Sequence, residues 1–432
     1  MASIGLIETT VSTEVASTST SFTEVVESSA LAKSTTYYVI CHALCEGDAN
    51  GKVFEWRLVD RTNSDTVLSN STLKREMNAV DKTQSYAFVG RFTTGTGSGG
   101  IAFEQKAAET KTVRTQYLSM VILELSELDS SDYFYANDTT AASHTGSFVD
   151  RATLTVSSPT SDDTYLMFAW VATDTNKVAN NSEMQLEKTG GSTTTTPLIS
   201  YEGEDLTEVL SWWVTRPYTM TDDSTTWTIQ TRDDDASGLV NEYLESTIFG
   251  LRLNAFENFN SSYTDIETVT TSTTWVELKS LSITPDTTGD IVAVGSSVFR
   301  PQSTNRRSYQ RITVAGASKP NTAPESEFNA SSNDGTDLLG MPQLTTFSGT
   351  ASSASTVDLD VKKTASANIG WKQYALSLFT TEIKSTPAPI NYSAVATQTF
   401  ASGDVASQSY NSGDVASETF NSGDVASEVN PS

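Results

Sequence analysis

The sequence predicts an all-β protein made of three tandem antiparallel β-sandwich, jelly-roll-like domains and a C-terminal tail of decapeptide repeats. One pattern of aromatic and apolar residues recurs three times, short runs alternate apolar with polar residues, and the end of the chain repeats a ten-residue unit. Alternation with a period of two is typical of half-buried strands. No long segment has the period of an amphipathic helix.

The threefold repeat begins at an aromatic residue in each copy. Phe22, Phe148 and Trp275 are separated by 126 and 127 residues. In each copy an apolar run follows about sixteen residues later: Tyr37–Ile40, Tyr165–Phe168 and Ile291–Val294. Further landmarks follow in constant order, so we expect domains at residues 1–132, 133–258 and 259–384, with the tail at 385–432.

Each unit of about 125 residues contains about eight short alternating runs, such as Phe54, Trp56 and Leu58. Turn-rich segments such as Thr94–Gly100 separate these runs. Eight strands of this length predict a sandwich or jelly roll. More than a quarter of the residues are Ser or Thr, so the exposed sheet faces should be rich in hydroxyl groups.

The expected linkers are 127–137, 257–263 and 383–394. The first two are short and contain aromatic residues, among them Tyr133 and Phe259. Short aromatic linkers favour domains packed end to end over loosely tethered ones.

The tail changes composition after Pro387–Pro389, and three near-identical decapeptides span residues 399–428. Aromatic residues occupy one phase of the repeat and valines another: Phe400, Tyr410 and Phe420; Val405, Val415 and Val425. Such a unit cannot bury its own apolar residues. We expect it to dock on a repetitive surface or stack against equivalent tails in an oligomer. The alternative is a flexible Ser/Gly linker.

The formal net charge is −26 and the pI is about 4.3. Such a surface repels phosphates and anionic lipids, so we expect no nucleic-acid or membrane partner. It suits a protein displayed in many copies, and it equally suits a saline habitat.

Few residues offer catalytic chemistry. Cys41 and Cys45 are four residues apart, about 13 Å along a strand, which is too far for a disulfide. We therefore expect two buried free thiols. His42 lies in an apolar run and His144 has no recognisable partner. We predict a protein that is not an enzyme and that binds no cofactor. Calcium at Asp233, Asp234 and Asp235 is a weaker alternative to a solvated loop.

The candidate interaction residues outside the tail are two tryptophans and two arginines. Trp212 and Trp213 are adjacent, so in a strand one ring should be in the core and the other on the surface, where it could contact a glycan. Arg306 and Arg307, with Arg300 and Arg311, form a basic stretch that could pair with an acidic neighbouring subunit. A solvated loop is the alternative.

The N-terminal residues lack the basic and apolar regions of a signal peptide, and no apolar run approaches the roughly 20 residues of a membrane helix. We therefore expect no signal peptide and no transmembrane segment, and the two free thiols favour assembly in a reducing host cytoplasm.

Tandem Ser/Thr-rich sandwiches, scarce His and Cys, and a repetitive end such as Asn411–Val415 are found together here. In this combination the chain resembles virion accessory proteins of tailed bacteriophages. The resemblance implies a structural protein on the virion surface, a capsid decoration, cement or head-fibre protein, with other virion proteins and copies of itself as partners. The alternatives are a tail fibre or receptor-binding protein that contacts host glycans, and a bacterial surface adhesin or filament subunit.

Overall fold

The computed structural model describes the following residues of the chain: 5–49, 51–77, 82–143, 146–157, 159, 162–174, 181–189, 194–195, 199–202, 209–220, 224–233, 242–301, 307–315, 317–318, 326–329, 339–363, 369–384, 405–409 and 425–429. By internal contacts the chain divides into two units, residues 1–383 and 384–432.

The first unit begins with module 1, which has ten strands: β1 Leu6–Val11, β2 Val15–Ser17, β3 Thr23–Glu27, β4 Thr36–Gly47, β5 Lys52–Asp60, β6 Thr66–Val67, β7 Leu73–Met77, β8 Lys82–Thr93, β9 Ile101–Lys106 and β10 Val113–Glu124. Its inner sheet has the order β1-β10-β4-β8, with β2 beside β10. Its outer sheet runs β3-β9-β5-β7, with β6 beside β5. The 3-10 turns are Arg61–Asn63 and Leu125–Glu127.

Module 2 follows with nine strands: β11 Tyr133–Asp138, β12 Val149–Ser157, β13 Thr164–Asp174, β14 Asn181–Thr189, β15 Thr194–Thr195, β16 Ile199–Glu202, β17 Val209–Thr219, β18 Ser224–Asp233 and β19 Glu242–Arg252. The inner sheet is β11-β19-β13-β17, and β17 also pairs with β7 of module 1 at Val209 and Lys74, so that this sheet and the outer sheet of module 1 form one nine-stranded sheet. The outer sheet is β12-β18-β14-β15, with β16 also beside β14. A 3-10 turn, Leu253–Ala255, leads to the next module.

Module 3 has ten strands: β20 Phe259–Thr264, β21 Thr268–Thr270, β22 Val276–Ile283, β23 Gly289–Pro301, β24 Arg307–Val314, β25 Ala317–Ser318, β26 Ser326–Asn329, β27 Leu339–Gly349, β28 Ser355–Lys363 and β29 Ile369–Thr380. The inner sheet is β20-β29-β23-β27, with β21 beside β29. The outer sheet is β22-β28-β24-β25, with β26 beside β24.

All three modules have the same nested strand order. In each, the first strand pairs with the last, and the strand that opens the outer sheet, β3, β12 or β22, pairs with the next-to-last strand of the module. This is a jelly roll, two antiparallel sheets closed over one core. The predicted fold class is therefore confirmed. The landmark residues Phe22, Phe148 and Trp275 each directly precede the first strand of an outer sheet, β3, β12 or β22.

The inner sheets are buried on both faces. Strand β4 is buried at every position from Tyr37 to Gly47, and β13 at every position from Tyr165 to Thr173. Strand β12 of an outer sheet instead largely alternates exposed and buried residues. Successive side chains of a strand point to opposite faces. One face of each inner sheet therefore lines its own sandwich, and the other must be covered by something else.

The cover is supplied by the other modules. Tyr38 of module 1 stacks on Phe249 of module 2 with 3.8 Å between ring centroids. Phe249 stacks in turn on Phe168, which lies edge-on to Trp213. We call the following apolar cluster the central core: Tyr38, Ile40, Val121, Leu123, Leu166, Phe168, Trp170, Trp213, Phe249, Leu251, Val292, Val294, Leu344 and Phe379.

Buried hydrogen bonds join every pair of modules. They run from Trp170 Nε1 to the Ala87 carbonyl at 2.9 Å, from the Thr215 amide to Ser296 Oγ at 3.0 Å, and from the Tyr117 hydroxyl to the Leu344 carbonyl at 3.0 Å. The modules therefore pack sheet face against sheet face. The prediction of end-to-end packing is wrong, because the inner strands carry apolar side chains on both faces and both must be buried.

A carboxylate is buried at the boundary of modules 1 and 2. Glu245 of β19 is 4% exposed, and Asn70 of module 1 donates from Nδ2 to its Oε2 at 3.0 Å. Burial raises the pKa of the Glu245 carboxyl, and hydrogen bonds such as that from Asn70 offset only part of this effect.

The second unit contains two described strands, β30 Val405–Ser409 and β31 Val425–Val429. They pair in parallel, with Val405 opposite Val425 and Ser409 opposite Val429.

Replacing Phe249 with Ala should lower the free energy of unfolding by about 3–5 kcal/mol, because it removes a ring from the central core and leaves a cavity. Denaturant unfolding of the full chain measures this loss. The control is I266A, whose side chain is 73% exposed and which should change stability by no more than about 0.5 kcal/mol. Equal effects of F249A and I266A would contradict the shared core.

Stability should depend on pH through Glu245. Because its pKa is raised in the folded state, its contribution is fully present below the unfolded pKa of about 4.3 and is lost as the pH rises through the folded value. E245Q keeps an acceptor for Asn70 and removes the buried charge. It should therefore melt at a higher temperature than the wild type at pH 8 and at nearly the same temperature at pH 4.

The matched control is E277Q, which removes an exposed carboxylate from the outer strand β22. Thermal melts of both variants at the two pH values separate burial from the change in net charge. A gain for E245Q that equals that of E277Q at both pH values would refute the assignment.

Candidate functional site

The outer sheets present the solvent-facing surface of the modules, and hydroxyl pairs cross their exposed faces. Thr155 and Thr226 are 3.2 Å apart between side-chain oxygens, and Ser282 and Thr356 are also 3.2 Å apart. Threonine pairs across antiparallel strands stabilise the sheet and leave polar groups facing water. These exposed faces therefore offer hydroxyl groups to water.

A ring, an arginine and a carboxylate are associated on the outer sheet of module 1. The guanidinium carbon of Arg57 lies 3.6 Å from the centroid of the Phe22 ring. The same guanidinium contacts Glu104 at 2.7 Å, and Glu104 is 5% exposed. Arg61 also contacts Glu104, at 2.9 Å. Phe22 itself is half-buried.

The same grouping recurs in the other modules. We call each group an outer clasp, and the three are Phe22–Arg57–Glu104, Phe148–Arg232–Glu183 and Trp275–Arg311–Asp360. The arginine carbon lies 4.4 Å from the Phe148 centroid in the second clasp and 4.1 Å from the Trp275 ring in the third. Lys362 adds a second cation over Trp275, at 4.6 Å.

Each clasp fastens the edge strand of an outer sheet. The ring directly precedes that strand, and the arginine comes from another strand of the same sheet. A cation over a ring contributes about 0.5–1 kcal/mol at an exposed site, and the carboxylate holds the guanidinium in place. The half-buried rings therefore stay partly accessible at a fixed position on the surface.

The basic stretch predicted on module 3 is only partly described. Arg300 pairs with Glu267 at 3.5 Å, and Arg311 belongs to the third clasp. Both charges are matched within the module. Arg306 lies outside the described residues, and Arg307 begins β24 with a side chain that is not described. Its pairing with a neighbouring subunit stays a prediction.

The two adjacent tryptophans are both buried. Trp213 is 0% exposed and belongs to the central core, and Trp212 is 6% exposed and packs inside module 2. They point to opposite faces of β17 as expected, but the prediction that one ring lies on the surface is wrong. The inner sheet has no solvent-facing side at this point, so neither ring can contact a glycan in this arrangement.

The side chains best suited to catalysis, His42, Cys41 and Cys45, lie inside module 1. Burial lowers the pKa of His42 to about 3, so the imidazole is neutral at pH 7. Burial also raises the pKa of the Cys41 and Cys45 thiols. Both cysteines are free and buried, which confirms that prediction. A neutral imidazole and protonated thiols away from solvent act as packing groups. His144 lies outside the described residues.

The predicted calcium loop is described at one residue. Asp233 ends β18 and is 0% exposed, whereas Asp234 and Asp235 lie outside the described residues. Within the described ranges, no three His, Cys, Asp or Glu side chains are grouped to hold a metal ion. The calcium site stays a prediction.

The tail residues are described at two positions of their repeat. Val405 and Val425 begin β30 and β31 and lie opposite each other in the ladder. The others lie outside the described residues: Phe400, Tyr410, Val415 and Phe420. Among the residues that the structure describes, no helix has the length and apolar character needed to cross a membrane.

No protein-family model and no curated protein matches this chain. Solved structures that resemble it include the triple jelly roll fold and turret assembly of an archaeal virus, with 10% identity, coverage of 86% of this chain and 83% of that chain, and a TM-score of 0.18. The tandem CBM22 domains of Xyn10C from Paenibacillus barcinonensis have 9% identity, with 56% and 93% coverage and a TM-score of 0.17.

The insecticidal delta-endotoxin Cry8Ea1 from Bacillus thuringiensis has 9% identity and a TM-score of 0.20, with 48% of this chain covered. This chain spans 42% of the endotoxin's length. At these TM-scores the comparisons add nothing to a functional argument.

Proposed function

We propose that this chain is a non-enzymatic structural protein displayed on the surface of a phage particle, as a capsid decoration, cement or head-fibre protein. The observation that carries the proposal is the arrangement of three jelly rolls around one central core. It makes a single block with similar outer sheets on its modules. A repetitive tail of decapeptides follows the block.

Rigidity suits this role. Domains move relative to one another unless their interface is large and apolar, and here each inner sheet has its second face buried in the central core. Jelly rolls recur in viral capsid proteins and in lectins, so this step of the proposal is an analogy at the level of the fold.

The surface chemistry supports display in many copies. The net charge of −26 disfavours nucleic acid and anionic membranes and keeps neighbouring copies soluble. The arginines of the outer clasps are matched by carboxylates of their own modules. Partners would then be other virion proteins and further copies of this chain.

A second candidate is a tail-fibre or receptor-binding protein that contacts host glycans. The observation that favours it is the outer clasp of module 3, where a half-buried Trp275 ring lies on a hydroxyl-rich sheet beside Arg311 and Lys362. An aromatic face with polar neighbours is the type of surface that binds sugars. A bacterial surface adhesin or filament subunit is the third candidate.

Locating the chain on particles purified from its source tests the proposal. Mass spectrometry of the particles and cryo-electron microscopy with a labelled antibody against residues 1–383 should place it in many copies on the outside of the head. Detection at the tail tip would support the receptor-binding role instead. Detection on the cell envelope without particles, or only in the soluble lysate, would contradict a virion role.

A further inference from the structure

The tail strands pair with a repeat of their own sequence. Strands β30 and β31 run in parallel, and the register joins Val405 to Val425, Ala406 to Ala426 and Ser407 to Ser427. The offset is 20 residues, which is two decapeptides. Each pair in the ladder therefore joins two residues that occupy the same position of the decapeptide.

A segment that pairs in this way does not distinguish which copy of the repeat supplies its partner. The intervening decapeptide contains the segment 415–419 with nearly the same letters, and the tail of a second chain offers all of these segments again. Gly403, Gly413 and Gly423 also share one phase of the repeat. Only a chain with the same ten-residue period can therefore stay in register over more than one strand.

Two short parallel strands are a poor structure alone. A two-stranded sheet is marginally stable in water, and parallel sheets occur almost only where both faces are covered. Among the described residues of the tail, β30 and β31 each have one strand neighbour. A strand with one neighbour has a second edge of N–H and C=O groups that can pair with another strand.

The negative charge of the tail favours a partner that binds through main-chain hydrogen bonds over an acidic partner that would have to bind through side-chain charges. The tail from residue 385 onward contains five acidic residues and no Lys or Arg: Asp404, Asp414, Glu418, Asp424 and Glu428. It cannot attract another acidic chain through side chains. Main-chain pairing of an added strand needs no opposite charge.

We propose that the tails of separate copies of this chain join by parallel, in-register strand pairing of the Val405–Ser409 and Val425–Val429 segments. The partner is a second copy of the same chain. This association would gather copies whether they stand on a particle or are free in solution, so it does not depend on the virion role. Because each tail carries five acidic residues and no Lys or Arg, two tails repel one another, and the association should strengthen as salt screens this repulsion.

Sedimentation velocity of the full chain tests the association. The wild type should show a weight-average mass above the monomer's 46.5 kDa that rises with concentration, and more so on going from about 0.1 M to about 1 M salt. The variant A406P/S407P/A426P/S427P should stay at 46.5 kDa, because adjacent residues present N–H groups to opposite edges and proline removes them.

The matched control is N411P/S412P/N421P/S422P, which places as many prolines outside both strands and should associate like the wild type. Unchanged melting of residues 1–383 in all variants shows that the block is intact. A wild type that remains monomeric at every concentration, or strand prolines that leave association unchanged, would overturn the proposal.

Cross-linking tests the register. Paired Cα atoms of neighbouring strands are about 4.8 Å apart, within reach of a disulfide. In a mixture of V405C and V425C chains, the mixed disulfide between the two variants should form under mild oxidation. In a mixture of V405C and V429C chains, the mixed disulfide should be at least tenfold less abundant, and peptide mapping distinguishes these mixed products from disulfides between identical variants. Cys41 and Cys45 are buried and give no background. Equal yields in the two mixtures would contradict parallel in-register pairing.

Discussion

The structure depends on the burial of both faces of each inner sheet. A single jelly roll needs apolar side chains on only one face of each sheet, but β4 is buried at every position from Tyr37 to Gly47 and β13 at every position from Tyr165 to Thr173. The second face is covered when the three modules meet, and the Tyr38–Phe249 stack shows how closely they meet. The same constraint explains why polar groups such as Thr215 and Ser296 must find partners across the boundary.

The packing of the three modules also determines which sheet faces can contact a partner. With the inner sheets enclosed, the partly exposed sheet faces are those of the outer sheets, where the clasps hold a ring at the edge strand of each module. His42 and the two cysteines are enclosed with the inner sheet of module 1, and burial keeps them uncharged. The described surface offers aromatic rings, hydroxyl groups and paired charged groups to a partner.

The threefold repeat and the all-β class could be predicted from the sequence because both depend on local patterns. Phe22, Phe148 and Trp275 mark equivalent positions, and period-two alternation marks the outer strands. The packing of the modules against one another could not be predicted from these local patterns. Apolar runs such as Tyr37–Ile40 marked the repeat, but the strands were predicted as half-buried and the cover of their second face was not predicted. The clasp arginines of modules 1 and 3 share a phase, because Arg57 and Arg311 follow their rings by 35 and 36 residues. Arg232 of module 2 follows its ring by 84 residues and lies in β18, so the three do not form one repeated sequence position. The alternation of side chains correctly predicted that Trp212 and Trp213 lie on opposite faces of a strand. The prediction that one of these faces is exposed was wrong, because that face of the inner sheet is covered by other modules.

Differential scanning calorimetry of the full chain tests the shared core most directly. If the three modules are held by one central core, residues 1–383 should unfold in a single transition, with equal calorimetric and van't Hoff enthalpies. Separate transitions for the modules, or a van't Hoff enthalpy near about one third of the calorimetric value, would show independent domains and contradict the account.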